Sequence, residues 1–311
     1  YGELESSGWK GNIGTAIHKN NKQGEFYQDL LDGFSAKGNA TIYELYFGAK
    51  LVASRLVVND NSNLVMLKTA YDESYSKYAP GRLLLYLVLE REFSKKRVCS
   101  IEFYTNATQD QISWSTHQRY ISHVLLLRNE LITNLYKIYK NCRSKINSFG
   151  GEKKIEIGEK LKIEKYSSFN QMPAPYKYLL DVSEADSYDL GFDWFSYFSS
   201  SAISDLSFLE LYGVTKKADG SPVAFLPLYQ NGRNRKLEAL ANYYTSLFMP
   251  LVKRENQGEN LSFLFRAIKN ESPAWDVIDL HPLPYDQAIF DGTVNAMRTV
   301  GWVVFRYLCV G

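Results

Sequence analysis

The sequence predicts an α/β protein of the α+β kind, built from two lobes whose mixed, mostly antiparallel sheets are flanked by helices. The chain has 311 residues, which suits two domains of ordinary size. Hydrophobic residues make up 45% and charged residues 23%, as in a typical globular protein. The order hairpin, strand, helix and strand occurs once in each half, and this repetition predicts two lobes of similar architecture.

The first half of the chain begins with a helix and continues into strands. Phe26, Leu30 and Phe34 recur every four residues, which predicts a helix over residues 25–37. Gly48 lies between two strand-like runs and predicts the turn of a hairpin. The other predicted elements are strands Ala40–Phe47, Lys50–Asn59, Leu64–Ala70, Val98–Tyr104 and Arg119–Arg128, the helices Arg82–Phe93 and 131–148, and a polar, Tyr-rich loop before Pro80.

The second half repeats this order with shifted numbering. Its predicted elements are strands Leu206–Val214, Val223–Gln230, Lys236–Tyr243, Ala274–Leu280 and Trp302–Cys309, with helices Leu261–Ile268 and Tyr285–Thr299. The offset between matching positions grows from 171 (223 − 52) to 177 (278 − 101), as small loop insertions would produce; chance alignment of two α/β halves is the alternative. The charged segment Glu152–Lys165 indicates a linker or a connecting hairpin. We therefore predict lobes over residues 1–130 and 165–311, with a helix and linker over residues 131–164.

Composition excludes several classes of protein. The net charge of +2 gives no strongly basic surface for nucleic acid. The longest apolar run, Leu83–Leu89, is far shorter than the roughly 20 residues that span a bilayer. The three cysteines are far apart, which favours a reducing, cytoplasmic compartment over a disulfide framework. None of the four histidines has metal-ligand spacing, so we predict no metal and interpret them as structural.

The turn Pro80-Gly81-Arg82 is the most informative local feature. It ends the Tyr-rich loop and begins a helix that is apolar nearly all round, which predicts a buried helix. A helix N-terminus presents unpaired N–H groups and a positive dipole end. Gly81 permits close backbone approach, and Arg82 adds a positive charge. These features suit a pyrophosphate, although an ordinary strand-to-helix turn would have the same residues.

Several motifs occur in an order that resembles a known family. They are Trp9-Lys-Gly11, Gly14-Thr-Ala-Ile17, Val52-Ala53, Leu67-Lys-Thr-Ala-Tyr-Asp72 and Ala79-Pro-Gly81. Over about residues 7–115 the chain resembles the cellulose-biosynthesis-type acetyltransferases of the GNAT superfamily, which are close to the Fem-type aminoacyl transferases. Residues 165–311 resemble the other lobe of that family. The resemblance implies two GNAT-like lobes.

The second lobe carries its own marks of the resemblance. They are Phe192-Asp-Trp-Phe195, Ala224–Leu228, Asn242–Ser246, Trp275-Asp276 and Phe305–Gly311. In the family this lobe normally precedes the Trp-Lys-Gly lobe, whereas here it follows. Because the chain also starts at Tyr1 without Met, we expect either a fragment of a tandem protein or a rotated arrangement of one unit. Each lobe is expected to pack against a partner lobe of the same or another chain.

The resemblance also implies a cofactor site and a function. The strand Leu67–Ala70 would pair with the pantetheine arm of acetyl-CoA or another acyl-CoA, and the turn Ala79–Leu83 would hold its pyrophosphate. The strand Ile101–Tyr104 would splay away and open a slot for the thioester. The implied reaction is acyl transfer to an amine or hydroxyl of a sugar or polysaccharide precursor. The residues assigned to the cofactor are Lys68, Thr69, Ala79, Pro80, Gly81, Arg82 and Leu83.

Acyl transfer needs groups that move protons, because the amine loses one and the leaving thiolate gains one. We predict Asp72 and Asp110 as candidate bases and Tyr71 and Tyr104 as candidate acids. The sequence departs from the family where Asp110-Gln111 replace a Tyr-Lys pair and Asn106 replaces a Gly.

This departure leaves two alternatives open. A non-catalytic binding or scaffold protein of the same fold would tolerate the loss of the Tyr-Lys pair. A Fem-like, aminoacyl-tRNA-dependent transferase would need a basic face, for which residues 131–148 offer Lys137, Lys140, Arg143 and Lys145.

Overall fold

The computed structural model divides the chain into two units of unequal size. Unit 1 comprises Tyr1–Trp114 and Ser196–Ile203, and unit 2 comprises Ser115–Phe195 and Ser204–Gly311. The structure describes residues 1–18, 20–60, 62–96, 98–103, 109–134, 160–184, 187–203, 207–232, 234–242, 245–285 and 288–310. No helix among these residues is both long and apolar enough to cross a membrane.

Unit 1 is a four-stranded sheet with helices against its faces. Its helices are α1 (Gly2–Ser6), α2 (Trp9–Asn12), α3 (Lys22–Ala36), α4 (Pro80–Ser94) and α5 (Gln109–Trp114), and its strands are β1 (Ala40–Phe47), β2 (Lys50–Asp60), β3 (Asn63–Tyr71) and β4 (Ser100–Phe103). A 3₁₀ helix over Glu73–Tyr78 joins β3 to α4. The sheet order is β1-β2-β3-β4, and the last pair is parallel.

Unit 2 contains a larger sheet with the remaining elements. Its strands are β5 (Tyr120–Leu127), β6 (Leu161–Tyr166), β7 (Ser207–Lys216), β8 (Pro222–Asn231), β9 (Lys236–Ala239), β10 (Leu251–Val252), β11 (Val277–Pro284) and β12 (Val303–Val310), and its helices are α6 (Ala174–Glu184), α7 (Phe192–Tyr197, which runs into unit 1), α8 (Gln257–Lys269) and α9 (Ala288–Thr299). The sheet order is β12-β5-β11-β9-β8-β7-β6, and β10 pairs with β8.

The two sheets contain the same succession of strand pairings. In unit 1, β1, β2 and β3 form an antiparallel meander, and α4 then leads to β4, which lies parallel to β3. In unit 2, β7, β8 and β9 form the meander, and α8 lies between β9 and β11, which are parallel. The hairpin turns contain Gly48 and Gly220, both at positive φ, where glycine carries no steric cost. This topology confirms the predicted mixed α/β fold.

The position of β5 differs from the sequence prediction. A strand over Arg119–Arg128 was expected to complete the first lobe, which was placed over residues 1–130. Instead β5 lies between β11 and β12 and pairs antiparallel with both. Val124 and Leu126 are fully buried in that sheet. The division between the units therefore falls at Trp114/Ser115, because long-range pairing partners, which no local pattern reveals, decide which sheet a strand joins.

The segment predicted as a linker ends in a strand. Residues 161–166 form β6, which pairs with β7 from Leu161↔Lys216 to Tyr166↔Leu211. The high charge of this segment predicted exposed chain, but a strand at the edge of a sheet tolerates alternating charged residues. Most of the predicted helix over residues 131–148 lies outside the described residues.

Helix α4 packs one face against the sheet and exposes the other, although apolar residues occur nearly all round it. Leu84, Leu85 and Val88 pack against β2 and β3. On the opposite side Tyr86 and Phe93 are exposed. The prediction of a buried helix was therefore wrong for half of its surface. The buried face fixes the first turn of α4 above the sheet, and this turn is part of the candidate site.

Candidate functional site

Strand β3 has a bulge on its β2 side at the point where its described pairing with β4 ends. On one side, Leu56 pairs with Lys68 and Val57 with Met66, so Leu67 is an extra residue that forms a β-bulge. On the other side, the last pair with β4 within the described residues is Met66↔Phe103. A bulge leaves one residue outside the ladder, and bulges are common beside active sites. Among the described residues, no strand pairs with residues 67–71 on the β4 side, where an extended ligand can add to the sheet.

The turn into α4 folds back onto the end of β3. Ala79 adopts the left-handed conformation with φ 47°, which reverses the chain before Pro80. A Cβ atom built on Gly81 would lie 3.5 Å from Tyr71 Cδ1 and 3.8 Å from Thr69 Cγ2. Thr69 and Tyr71 therefore face α4.

The first turn of α4 offers fewer free donors than the sequence suggested. The N–H of Ala79 donates to Ser76 O, and the N–H of Leu83 donates to Ala79 O. Pro80 has no N–H. Among the described residues, only the N–H groups of Gly81 and Arg82 have no acceptor in this turn. They are adjacent, which is sufficient for contact with one phosphate group.

Arg82 and Asp110 form an ion pair between α4 and α5. The sequence analysis had predicted phosphate binding for Arg82 and a role as catalytic base for Asp110. Both side chains are exposed to solvent. The carboxylate therefore neutralises the charge that was expected to bind pyrophosphate. An exposed pair of this kind contributes little to stability, on the order of 0–1 kcal/mol, so a polyanionic ligand can compete for Arg82.

Asp72 caps the 3₁₀ helix that follows β3. Its Oδ1 accepts hydrogen bonds from Ser74 N at 2.9 Å and Ser74 Oγ at 2.6 Å. Its Oδ2 forms an ion pair with Lys50 Nζ at 2.8 Å. The hydrogen bonds from Lys50 and Ser74 lower the pKa of Asp72 to about 2. A carboxylate with so low a pKa is a weak base, and this geometry argues against the predicted catalytic role of Asp72.

The structure describes only one of the two predicted acids, Tyr71. Tyr71 ends β3 with 40% of its surface exposed, beside the turn at Gly81. Tyr104 lies outside the described residues. Of the predicted acids, Tyr71 is therefore the one that the structure brings to the candidate site.

Lys68 faces the other side of the sheet. Its ammonium lies 5.9 Å from the centroid of the Tyr27 ring, which belongs to α3. The side chain is half-buried. Burial, aided by the positive charge of Lys10 and opposed by Glu5, lowers the pKa of Lys68 to about 7. Sequence reasoning assigned Lys68 to the cofactor and did not detect that it can exchange a proton near neutral pH, because that property depends on burial.

The Trp9-Lys10-Gly11 motif is explained by local packing. A Cβ atom on Gly11 would lie 1.9 Å from Ser6 O, so only glycine fits there. Lys10 Nζ forms an ion pair at 2.5 Å with the buried carboxylate of Glu5. The motif thus closes α1 onto α2 and holds a charged pair whose electrostatic effect reaches Lys68.

Arg55 is the residue of this region that the sequence analysis missed. It lies on β2 directly opposite Thr69 and is only 8% exposed. Its Nη2 donates to Gly81 O at 3.4 Å, and its Nη1 contacts Met66 Sδ at 2.9 Å. An arginine in a strand is ordinarily read as solvent-facing, so no signal in the single sequence indicated this position.

Unit 2 has a turn of the same shape at the corresponding place. Asn256 adopts the left-handed conformation with φ 53° immediately before α8, as Ala79 does before α4. Gly258 and Glu259 then stand where Gly81 and Arg82 stand in unit 1. The acidic Glu259 disfavours an anion at this helix N-terminus.

The histidines of unit 2 are more closely associated than the sequence indicated. His123 of β5 pairs with Asp279 of β11, and Asp279 also forms an ion pair with Lys236 Nζ at 2.6 Å. The ring centroids of His123 and His281 are 5.1 Å apart. Burial alone would raise the pKa of Asp279, but hydrogen bonds from His123 and Lys236 outweigh burial and lower it. This cluster bridges three strands and stabilises their register.

Comparison with known proteins agrees with this geometry. Residues 3–109 match the family described as "Acetyltransferase (GNAT) domain". A GCN5-related N-acetyltransferase from Anabaena variabilis aligns with 98% of this chain and 70% of its own, at 11% identity and a TM-score of 0.57. A GCN5-related N-acetyltransferase from Kribbella flavida aligns with 99% of this chain and 66% of its own, at 9% identity and a TM-score of 0.51. No curated protein matches the chain.

The family match is confined to the first part of the chain. The segment that is similar to the acetyltransferase (GNAT) domain, residues 3–109, includes the bulged strand β3 and the turn into α4. The similarity to the two solved structures supports the fold alone, because the identities are low.

Proposed function

We propose that the protein is an acyl-CoA-dependent acyltransferase that uses acetyl-CoA or another acyl-CoA, bound in unit 1. The last described pair between β3 and β4, Met66↔Phe103, lies next to the β-bulge at Leu67, and this is the observation that carries the proposal. Beyond that pair the described residues give β3 no partner strand on its β4 side, and this extended segment ends beside a helix N-terminus. An extended arm that ends in a pyrophosphate is complementary to this arrangement.

Different residues of unit 1 would bind different parts of the acyl-CoA molecule. Backbone groups of residues 67–70 would pair with the amides of the pantetheine arm. The N–H groups of Gly81 and Arg82 would donate to the pyrophosphate, and Arg82 would exchange Asp110 for a phosphate oxygen. When bound, acyl-CoA supplies an activated acyl group as a thioester.

Two side chains of β3 are suited to proton transfer. Lys68 lies on the face of β3 opposite Tyr71, beside the Tyr27 ring; with its pKa of about 7 it is neutral in a large fraction of molecules at physiological pH and would accept a proton from an acceptor bound on that face. Tyr71, partly exposed next to the turn, would donate a proton to the leaving thiolate. Lys68 thus takes the role that the sequence analysis assigned to Asp72.

The acceptor in this proposal is an amine or hydroxyl. A sugar or polysaccharide precursor follows from the resemblance to the cellulose-biosynthesis type alone. A second candidate function, a non-catalytic scaffold of GNAT fold, is favoured by the Arg82–Asp110 ion pair, because a neutralised arginine needs no anionic ligand.

A binding panel separates the two candidates. The melting temperature of the purified chain would be measured with acetyl-CoA, longer acyl-CoAs and free CoA, and calorimetric titration would give each Kd. Binding at micromolar Kd and release of free thiol with a suitable amine would support the acyltransferase. A folded protein that binds none of these ligands would contradict it and favour the scaffold.

A further inference from the structure

The guanidinium of Arg55 is buried without a counter-charge. Among the described residues no carboxylate forms an ion pair with it, and its Nε has no hydrogen-bond partner. Burial lowers the pKa of Arg55 to about 10, so the group stays charged at neutral pH. Burial of an unpaired charge costs several kcal/mol, and the sequence retains it nonetheless.

The place of Arg55 makes this charge more unfavourable still. Its Nη2 reaches the carbonyl of Gly81 at 3.4 Å, so the guanidinium lies beneath the first turn of α4. That turn is the positive end of a helix of 15 residues. Two positive groups thus meet at a point where two backbone N–H groups, those of Gly81 and Arg82, have no acceptor among the described residues.

Among the described residues, no nearby side chain supplies a carboxylate to Arg55, although an electrostatic interaction with Tyr1 raises its pKa slightly against the effect of burial. Tyr43, which pairs with Arg55 across β1 and β2, donates its hydroxyl to Glu92 Oε1 at 2.9 Å. Glu92 lies near the C-terminal end of α4, far along the helix from Gly81. Met66 Sδ, at 2.9 Å from Nη1, is neutral and accepts only weakly.

We infer that Arg55 is a positioning residue for the phosphate groups of the ligand, and that a bound anion provides its missing counter-charge. Through its hydrogen bond to Gly81 O, Arg55 holds the turn in the orientation that presents the N–H groups of Gly81 and Arg82. Its charge adds to the helix dipole at the anion. This role rests on the proposed acyl-CoA site and adds a residue that no resemblance assigns to it.

Burial and function make opposite demands on Arg55. Replacement of a buried, unpaired charge by an apolar residue of similar length is neutral or stabilising. Arg55→Met should therefore leave the melting temperature of the ligand-free protein unchanged or raise it, while anion binding weakens. A residue retained for packing alone would give the reverse, namely lower stability and unaltered binding.

Calorimetric titration tests the inference with three ligands: CoA, dephospho-CoA, which keeps the pyrophosphate, and pantetheine, which has no phosphate. The proteins are the wild type, Arg55→Met, Arg55→Gln and Arg55→Lys. Arg91→Met is the matched control, because Arg91 is an exposed arginine in the last turn of α4, at the opposite end from the turn that Arg55 contacts. Arg55→Met should weaken binding of CoA and dephospho-CoA at least about tenfold, as expected for a lost charge-assisted interaction, and pantetheine less than about twofold. Arg55→Gln should behave alike, and Arg55→Lys should recover part of the loss.

The outcomes distinguish this inference from the proposed function. If the folded wild type does not bind CoA, the acyl-CoA site itself is wrong. If the wild type binds CoA and Arg55→Met and Arg55→Gln bind it equally well, the site stands and the role of Arg55 is wrong. An equal loss for pantetheine and CoA would also overturn it, because Arg55 would then shape the whole site rather than hold an anion. Should Arg55→Met fail to fold, Arg55→Gln provides the same comparison.

Discussion

The carboxylate of Asp110 forms an ion pair with the guanidinium of Arg82 across 28 positions of sequence. The pair joins the residue predicted as a catalytic base to the residue predicted to bind phosphate. Each group satisfies the other while no ligand is present. Asp110 therefore competes with the pyrophosphate for Arg82 in the proposed site.

Asp110→Asn should strengthen CoA binding roughly two- to fivefold, because the amide holds Arg82 less firmly than the carboxylate did, by less than about 1 kcal/mol for an exposed pair. The measurement is the Kd for CoA by calorimetry, together with kcat for acyl transfer. An unchanged kcat supports this competitive role. A fall in kcat of a hundredfold or more with unchanged Kd would instead restore Asp110 as the base.

Gly81→Asp should weaken CoA binding by one to two orders of magnitude, roughly 1.4–2.8 kcal/mol. The substitution introduces a negative charge at the anion site. The new Cβ would make only ordinary contacts with Tyr71 and Thr69, so the fold should remain intact. Gly258→Asp is the matched control, because a Cβ at Gly258 has open space around it. Equal affinities in the wild type and both variants would exclude the turn as the pyrophosphate site.

Lys68→Met should remove the rising limb of the pH–rate profile. In the wild type, kcat/KM should increase with pH and level off above an apparent pKa near 7, as Lys68 loses its proton. The variant should lose about a hundredfold or more in rate and show no such limb. Lys77→Met is the control, since Lys77 is exposed beside the Tyr78 ring.

Lys68 also predicts a pH dependence of stability that needs no substrate. Its folded-state pKa of about 7 lies below the ordinary value of 10.5, so the unfolded chain binds more protons between these values. The free energy of unfolding should therefore rise with pH from about 7 to 10.5, by at most about 1.4 kcal/mol per unit. Urea unfolding of the wild type and Lys68→Met across this range measures the contribution. Identical pH dependence would contradict the lowered pKa.

Asp72→Ala should destabilise the protein by about 1 kcal/mol at pH 7, because it removes a cap and an ion pair, with little change in kcat. The folded-state pKa of about 2 lies below the ordinary 3.8, so this contribution is present above pH 3.8 and disappears as pH falls through 2. Urea titrations at several pH values measure it. Asp219→Ala, which removes a similar cap at Ser221 N, is the control. A loss of kcat specific to Asp72→Ala would revive Asp72 as the base.

Gly11→Ala should lower the melting temperature substantially, since the added methyl group would lie 1.9 Å from Ser6 O. Overpacking of this kind typically costs about 1–3 kcal/mol. Gly258→Ala serves as the control, because it adds the same methyl group in open space at the start of α8. If Gly11→Ala melts at the same temperature as the wild type, α1 and α2 can move apart without cost and the prediction is wrong.

Short-range sequence patterns predicted the turns and the order of helices and strands. The hairpins at Gly48 and Gly220, the start of α4 and the repeated strand order all follow from turn chemistry and periodicity. The features that were missed depend on residues distant in sequence. The pairing of β5 with β11 and the burial of Arg55 depend on which strands become neighbours, and periodicity contains no such information.

The sequence indicated which segments lie close together better than it indicated the proton affinities of their side chains. Residues 67–71 and the turn at Gly81 do meet, as the motif order implied. The shifted pKa values of Lys68 and Asp72 depend on burial and on Lys50, Ser74 and Lys10. Such shifts need three-dimensional neighbours: hydrogen bonds from Lys50 and Ser74 lower the pKa of Asp72, and burial lowers the pKa of Lys68.

The insertion of β5 between β11 and β12 has a consequence for synthesis of the chain. Leu125 pairs with Asp279 and Phe305, the nearer of which follows 154 positions later (279 − 125). During translation β5 leaves the ribosome long before either partner exists, with an apolar face and two open hydrogen-bonding edges. Any ribosomal pause or premature stop before residue 277 would leave this strand available to other chains. We expect the nascent protein to depend on a holdase chaperone until β11 and β12 have emerged.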